Sequence, residues 1–287
     1  MCPALRSFRA FALAPAILAP ALAFGESLPE PVSGEISAET SFHAVLNPVY
    51  DDANGRSNEL AHSLGLYRFQ TSFSYGLSSS FALGIVGTYA ANRYCCLNGI
   101  ALSDSGFTGG GLFFDWSSGA LAGRPNLVRL GYQTQRGPDN AVLPVSDGQD
   151  RLFLRSDWSI LAWRRDQARL GMRLDLDYGP PFEIQKGYFR ASAELAPQVP
   201  VVRSQGWDFD IVGTAGYLIA TDARENGTIY HNRNSKQARV GAELDLGLGR
   251  HRRDQIILEA KHDFAARNAL NGWRIGLTYR RRIGMGQ

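Results

Sequence analysis

Apolar and polar side chains alternate with a period of two residues through most of this chain, and this alternation constrains its fold more than any other feature. In residues 169–178, leucine, methionine and tyrosine occupy the even positions, whereas arginine, glycine and aspartate occupy the odd ones. Because successive side chains of a β-strand point to opposite faces, such a segment has one oily face and one charged face. Twelve segments follow this pattern and predict twelve strands, over residues 34–46, 64–77, 80–91, 106–117, 126–135, 151–162, 169–178, 187–196, 206–219, 237–247, 254–264 and 271–282.

The connections between these predicted strands tend to alternate between long and short. Long connections cover residues 47–63, 92–105, 136–150 and 220–236, and short ones cover 78–79, 163–167 and 248–253. Two further turns, near 118–125 and 197–205, are of intermediate length. Transmembrane barrels of bacteria have long external loops, short periplasmic turns and an even number of strands. The alternation therefore predicts that both termini lie in the periplasm.

The N-terminus has the form of a secretory signal peptide. Arg6 and Arg9 precede an apolar stretch that ends in the small-x-small sequence Ala21-Leu22-Ala23. A membrane anchor helix is the alternative, and the shortness of the stretch and its two prolines disfavour it. We therefore predict three regions, namely a signal peptide over 1–23, a periplasmic lead-in over 24–33 and a barrel over 34–287.

The pattern of strands and loops resembles that of bacterial outer-membrane β-barrels as a class. Each predicted strand has about 10–14 residues, enough to cross a bilayer at a tilt. The segment Gly272–Tyr279 is similar to the last strand of such proteins, which the barrel-insertion machinery reads, although this chain continues to Gln287. The resemblance implies an all-β fold, a closed antiparallel transmembrane barrel of about twelve strands in the bacterial outer membrane, in contact with its lipids. A soluble β-sandwich, which would also alternate, is the alternative.

Charged residues occupy the polar face of the predicted strands. An arginine or lysine facing lipid near the bilayer midplane would cost about 2–4 kcal/mol, so we expect these charges to face the lumen. They include Arg68, Arg239, Arg274, Glu39, Asp115, Glu243 and Glu259. The predicted constriction of the lumen consists of charged residues on neighbouring strands, namely Arg129, Arg155, Asp157, Arg173, Asp175, Arg190 and Glu194.

Two interpretations of this charged lumen stay open. In the first, opposed basic and acidic walls orient a small polar or charged solute in a narrow, passive, porin-like channel. In the second, the charges pair across a closed lumen, and the barrel is a non-transporting structural or accessory protein for envelope or surface-polysaccharide assembly. Side chains just fill a barrel of eight strands, whereas sixteen strands leave an open channel, so twelve strands allow either interpretation.

A third interpretation, an outer-membrane lipid-modifying enzyme, lacks a matching motif. Outer-membrane phospholipases resemble this chain in strand number, and their family motif places a serine two residues after a histidine. None of the mature histidines here has that serine, and Ser41 and His43 stand in the reverse order, as an ordinary inward polar pair would. We therefore predict that the protein is not an enzyme and has no catalytic residue, metal site or cofactor.

Basic residues concentrate on the side of the barrel that we predict to be periplasmic. They form a predicted basic cluster of Arg250, Arg252, Arg253, Arg280, Arg281 and Arg282. Basic turns attract anionic headgroups or acidic polymers, so a periplasmic partner is one expectation and ordinary solvated turns are the other. The chain shows no sign of binding nucleic acid, because its basic groups are not interleaved with stacking aromatic residues on a soluble domain.

Overall fold

The computed structural model describes residues 27–51, 54–58, 64–97, 100–121, 124–134, 150–163, 168–180, 188–221, 235–249, 252–267 and 269–284. Its strands are β1 (Glu35–Asp51), β2 (Ser57–Asn58), β3 (Leu64–Gly76), β4 (Phe81–Leu97), β5 (Ile100–Leu121), β6 (Arg124–Gln133), β7 (Arg151–Trp163), β8 (Ala168–Gly179), β9 (Tyr188–Arg203), β10 (Trp207–Ala220), β11 (Ser235–Leu248), β12 (Asp254–Arg267) and β13 (Ala269–Gly284). Within these ranges there is no helix long and apolar enough to cross a membrane.

Twelve of these strands form a closed antiparallel barrel, which confirms the predicted fold class. Each long strand pairs with the next, and β13 closes the cylinder by pairing with β1 from Glu35 opposite Gly284 onward. The short β2 lies outside this ring and pairs only with the end of β1. We call the end where β1 begins and β13 finishes the terminal end, and the opposite end the distal end. That the terminal end is periplasmic stays a prediction.

The distribution of side chains in the barrel is the reverse of that in a soluble protein. Its outward side chains are apolar and exposed, as in Phe107 and Leu112, each with 62% of its surface accessible. Its fully buried side chains are mostly polar or charged, and Lys261, Asp263 and Arg274 have 0% exposure. Because alternate residues of a strand point to opposite faces, one parity of each strand supplies the lipid-facing surface and the other supplies the lumen.

Aromatic side chains form two girdles around the outside. The terminal girdle contains Tyr75, Phe81, Trp116, Trp163, Trp207 and Tyr279, and the distal girdle contains Tyr89, Tyr132, Tyr178, Tyr217 and Trp273. At roughly 3.3 Å per residue and a tilt of about 40°, the stretch of β4 from Phe81 to Tyr89 rises about 20 Å. This height is close to the apolar band of about 25 Å that membrane barrels present to lipid.

Three predicted connections are wrong because the strands continue through them. Residues 92–97 and 100–105 belong to the paired ends of β4 and β5, residues 118–121 and 124–125 belong to β5 and β6, and residues 197–203 belong to β9. Backbone pairing can continue beyond the lipid, where no oily face is needed. In β9, Pro200 lies beside a register shift, a position that tolerates a residue without an N–H. The predicted signal peptide over 1–23 and most of the loops over 136–150 and 220–236 lie outside the described residues.

A charge placed between the two girdles tests whether the outer surface meets lipid. Ile85 lies on β4 midway between Phe81 and Tyr89 and is 54% exposed. Replacing it (Ile85→Arg) should lower the free energy of unfolding in lipid vesicles by about 2–4 kcal/mol, measured by denaturant titration. Replacing Ser79, exposed in the turn between β3 and β4, with arginine should change it by less than about 0.5 kcal/mol. Equal effects of the two variants would show that Ile85 does not face hydrocarbon.

Candidate lumen site

The lumen has an apolar wall and a charged wall. The apolar wall lies on β4 to β7, where Val86, Phe113 and Phe153 form a buried cluster. Ion pairs interrupt it. Arg129 donates two hydrogen bonds of 2.7 and 2.9 Å to Asp115 and stacks over the Phe113 ring at 4.0 Å, and Arg151 and Arg155 of β7 pair with aspartates of β8. The charged wall, formed by the inward residues of β8 to β13 and β1, carries most of the other buried charges. A solute in the lumen would therefore meet two chemically different surfaces.

A belt of ion pairs crosses the lumen near the middle of the strands. We call it the central belt, and it consists of His43, Arg173, Glu194, Glu243, Glu259 and Lys261. Arg173 donates to both carboxylate oxygens of Glu243, at 2.5 and 3.0 Å. Because β9 and β10 separate β8 from β11, this pair bridges across the lumen and does not run along the wall.

Lys261 lies at the centre of the belt. Its Nζ atom is 3.0 Å from Glu243, 3.2 Å from Glu259 and 3.4 Å from Glu194. Glu259 also contacts Nδ1 of His43, at 3.1 Å. An ammonium group removed from water is stable only with such close counter-charges. The three glutamates therefore fix the position of Lys261.

Two glycines leave room for the long side chains of the central belt. Gly241 lies directly opposite Lys261 in the β11–β12 pair, and Gly276 lies opposite Glu259 in the β12–β13 pair. A Cβ atom at either glycine would lie 2.5 Å from the Cγ atom of its partner, closer than real contacts allow. Both charged side chains therefore lie flat over the neighbouring strand before they turn into the lumen.

On the distal side of the belt, four buried arginines face the lumen. We call Arg151, Arg190, Arg239 and Arg274 the distal arginine group. Asp177 lies between two of them, 3.9 Å from Arg151 and 3.7 Å from Arg190. Asp263 lies between the other two, 2.7 Å from Arg239 and in direct contact with Arg274. Arg151 also donates to Gln133, which in turn donates to Thr88, so this polar network reaches the apolar wall.

The lead-in enters the terminal mouth of the barrel. Pro29 and Pro31 are buried, and the segment lies beside lumen-facing residues of β1, β3, β4 and β5. The backbone N–H of Gly34 donates to the carbonyl of Gly76 at 2.8 Å. Arg280 donates to the carbonyl of Ser27 at 2.8 Å and to Glu39. The lead-in therefore narrows one side of the mouth.

The turn between β11 and β12 narrows the opposite side of the mouth. Arg252 reaches inward from this turn and contacts three aspartates, with distances of 3.2 Å to Asp208, 3.2 Å to Asp210 and 2.5 Å to Asp245. Arg203 also contacts Asp210, which is fully buried. Each of these aspartates is on an inward position of β10 or β11, so the contacts lie inside the barrel wall.

All seven residues of the predicted constriction lie on inward positions, but the structure divides them. Arg173 and Glu194 belong to the central belt. Arg155 pairs with Asp175 at 3.7 Å, and Asp157 acts electrostatically on Arg173. Arg190 belongs to the distal arginine group, and Arg129 lies on the apolar wall with Asp115.

The predicted basic cluster is also divided. Arg252 and Arg280 turn into the lumen, where carboxylates surround them. Arg253 and Arg281 are exposed, and Arg282 lies at the mouth, near the carbonyl of Glu30. Arg250 lies outside the described residues. A partner that binds this cluster would meet only part of the charge that the sequence suggests.

Sequence reasoning missed Lys261 and Asp263 as lumen residues. Both share the parity of Glu259 on β12, which is the signal that could have identified them. It also treated His43 as an ordinary polar residue, whereas the structure places it against Glu259. Among the described residues, no group of three or more His, Cys, Asp or Glu side chains is arranged to hold a metal ion. The absence of a cofactor stays a prediction.

No family model matches this sequence, and no curated protein matches it. The fold is similar to that of an outer membrane channel from Pseudomonas putida F1, with a TM-score of 0.70 and 13% identity, covering 90% of this chain and 98% of that one. It is also similar to the β domain of the Bordetella autotransporter Brka, with a TM-score of 0.55 and 11% identity, covering 86% of this chain and 98% of that one. At these identities the similarity establishes the fold alone. With its exposed apolar surface, the chain has the fold of bacterial outer-membrane β-barrels.

Removing the central lysine tests whether the belt is a buried, compensated network. The variant Lys261→Met keeps the bulk of the side chain but leaves three glutamates without this cation, and it should lower the free energy of unfolding by about 3–5 kcal/mol. Arg281→Met, which removes an exposed pair with Asp254 at 3.8 Å, should cost less than about 1 kcal/mol. Denaturant titration in lipid vesicles measures both. Similar losses in the two variants would contradict a buried belt.

Proposed function

We propose that this barrel is a narrow, passive channel for small polar or charged solutes. The observation that carries the proposal is a lumen that is polar from one end to the other. Glu39 and Arg280 lie near the terminal mouth, Arg173 and Glu243 lie in the middle, and Arg190 lies on the distal side. A barrel with a purely structural role could be filled with apolar side chains at lower cost, because replacing buried ion pairs by packed hydrophobic residues is often stabilising.

Unused hydrogen-bonding atoms inside the lumen support a hydrated path. Ser37 Oγ, Thr214 Oγ1 and Arg190 Nε are buried, and none makes a hydrogen bond to the protein. Leaving such an atom unsatisfied costs about 1–3 kcal/mol, so buried polar atoms normally meet either protein or water. The three residues lie near the terminal end, the middle and the distal end of their strands. Water at these positions would form a connected polar route.

The central belt would act as the constriction of this channel. The Arg173–Glu243 bridge crosses the part of the lumen between β8 and β11, so a permeating ion would pass beside a paired cation and anion or exchange partners with them. Charges that bind an ion weakly and at several sites allow it both to enter and to leave. We therefore expect low conductance, with passage that depends on solute size and charge.

Two alternatives remain for the tests to separate. A non-transporting accessory barrel would explain the same ion pairs as filling the lumen, but only Arg253 and Arg281 of its predicted basic cluster are exposed among the described residues. We also propose that the protein is not an enzyme, because its histidines lack the spacing to serine that the motif of outer-membrane phospholipases requires. A changed lipid A or phospholipid composition in a strain that lacks the protein would overturn this last proposal.

Planar-bilayer recordings test the channel directly. The purified protein should give small, stepwise currents. The double variant Arg173→Ser, Glu243→Ser removes both partners of the cross-lumen bridge, so it should raise the single-channel conductance severalfold. The matched double variant Asp254→Ser, Arg281→Ser removes a pair outside the lumen and should leave the conductance unchanged. Folded protein that carries no current in any of the three forms would favour the accessory barrel.

A second recording tests the lead-in as an obstacle at the terminal mouth. A Cβ atom at Gly76 would overlap the carbonyl oxygen of Val32, so Gly76→Ala should displace the lead-in, raise the conductance and expose the segment to protease. Gly87→Ala is the matched control, because its new methyl group would meet only the Phe107 ring, at an ordinary 3.4 Å. If Gly76→Ala exposes the segment without changing the current, the lead-in does not limit conduction.

A further inference from the structure

We propose that the distal half of the lumen contains a binding site for small anions that carry a phosphate or carboxylate group, with Arg190 as its principal ligand. The inference rests on the proposed channel in one respect, because it names the class of solute that the channel would select. The binding site itself can be measured without any current.

The first support is the charge around Arg190. Asp177 attracts this arginine, whereas Arg151 and Arg239 repel it. Asp177 is also shared, since it lies 3.7 Å from Arg190 and 3.9 Å from Arg151. Arg239 and Arg190 in turn repel Arg274, so three arginines face one region of the lumen. An anion placed among them would relieve this repulsion.

The second support is the set of hydrogen-bond donors on Arg190. Its Nε and Nη2 atoms are buried and make no hydrogen bond to the protein, while the residue as a whole is only 4% exposed. These two nitrogens form one edge of the guanidinium, and their N–H bonds point in parallel. This fork matches the two oxygens of a carboxylate or phosphate, which is the strongest pairing that an arginine makes.

The third support is a small cleft on the same side of the lumen. Ser192 lies two residues beyond Arg190 on the same face of β9, and with Gln237 and Arg239 it lines a cleft whose wall includes Gly216. A Cβ atom at position 216 would lie 2.8 Å from the carbonyl oxygen of Ala193, so the cleft depends on Gly216. Arg239 therefore links this cleft to the distal arginine group.

Two carboxylates also line the cleft, but both are neutralised. Asp175 pairs with Arg155 at 3.7 Å and accepts a hydrogen bond from Ser192. Glu194 pairs with Arg173 at 3.3 Å and with Lys261. Because these cations compensate the carboxylates on the central side, the positive charge of the distal arginine group is what an incoming anion meets.

Calorimetric titration of the detergent-purified barrel tests the site. Inorganic phosphate and succinate are the two probes, each titrated against sodium chloride at the same ionic strength. We expect saturable binding of at least one probe to the wild type. In Arg190→Gln, the dissociation constant of that probe should rise about tenfold or more, because two charge-assisted hydrogen bonds are lost. A response to phosphate alone, to succinate alone or to both identifies the group that the site accepts.

Two variants control for charge and for folding. Arg253→Gln removes one positive charge from an exposed position at the opposite end, so its affinity should equal that of the wild type. Arg190→Lys keeps the charge but not the planar fork, so its affinity should lie between those of the wild type and Arg190→Gln. If Arg190→Gln does not fold, the lysine variant and the wild-type titration still decide the matter.

The outcomes separate this site from the channel. Absence of binding for both probes in the wild type, or equal binding in Arg190→Gln and Arg253→Gln, would overturn the anion site whether or not the barrel conducts. Anion binding by a barrel that carries no current would support the site and contradict the channel. In a conducting barrel, a salt gradient should give a reversal potential that favours anions, and Arg190→Gln should shift it toward cations.

Discussion

Hydrocarbon around the barrel forces the charged side chains of its strands to find their counter-charges inside. Lipid offers no water and no hydrogen bonds, so a lipid-facing charge is costly and an inward charge is stable only beside an opposite one. The central belt satisfies this requirement by joining Arg173 and Lys261 to three glutamates from β9, β11 and β12. The same requirement explains why Arg252, although its residue type suits a surface turn, reaches inward to three aspartates.

The ion pairs also determine which charged regions a solute would encounter along the lumen. The lead-in and Arg252 narrow the mouth at the terminal end, and the Arg173–Glu243 bridge narrows the middle. Among the described residues, the distal side presents an excess of cationic donors. A solute would therefore pass regions of different charge balance in sequence. The apolar wall around Phe113 and Phe153 gives it few counter-charges, namely the Arg129–Asp115 pair and the β7 residues Arg151 and Arg155.

Local periodicity was sufficient to predict the twelve strands and the face on which most of their charges lie, because both depend only on neighbours along one strand. It could not predict which inward charges meet across the lumen. Arg173 and Glu243 are joined by the barrel's curvature, which no single segment encodes. Nor could it predict strand ends beyond the lipid, as in β4, where the oily face is no longer needed. The inward turn of Arg252 and the insertion of the lead-in depend on carboxylates and space supplied by distant strands.

The glycines opposite Lys261 and Glu259 have a consequence for how the bore of such a barrel can change. Each long side chain packs against the glycine backbone of the neighbouring strand. This backbone therefore sets the distance between the charged group and the barrel axis. One added methyl group at Gly276 would meet the side chain of Glu259 and lift its tip inward without altering any charge, whereas at Gly241 it would also meet the Ala260 carbonyl oxygen at 2.5 Å. Different residues thus set the width of the lumen and its charge. During evolution the width could change while every charged residue of the lumen stays in place.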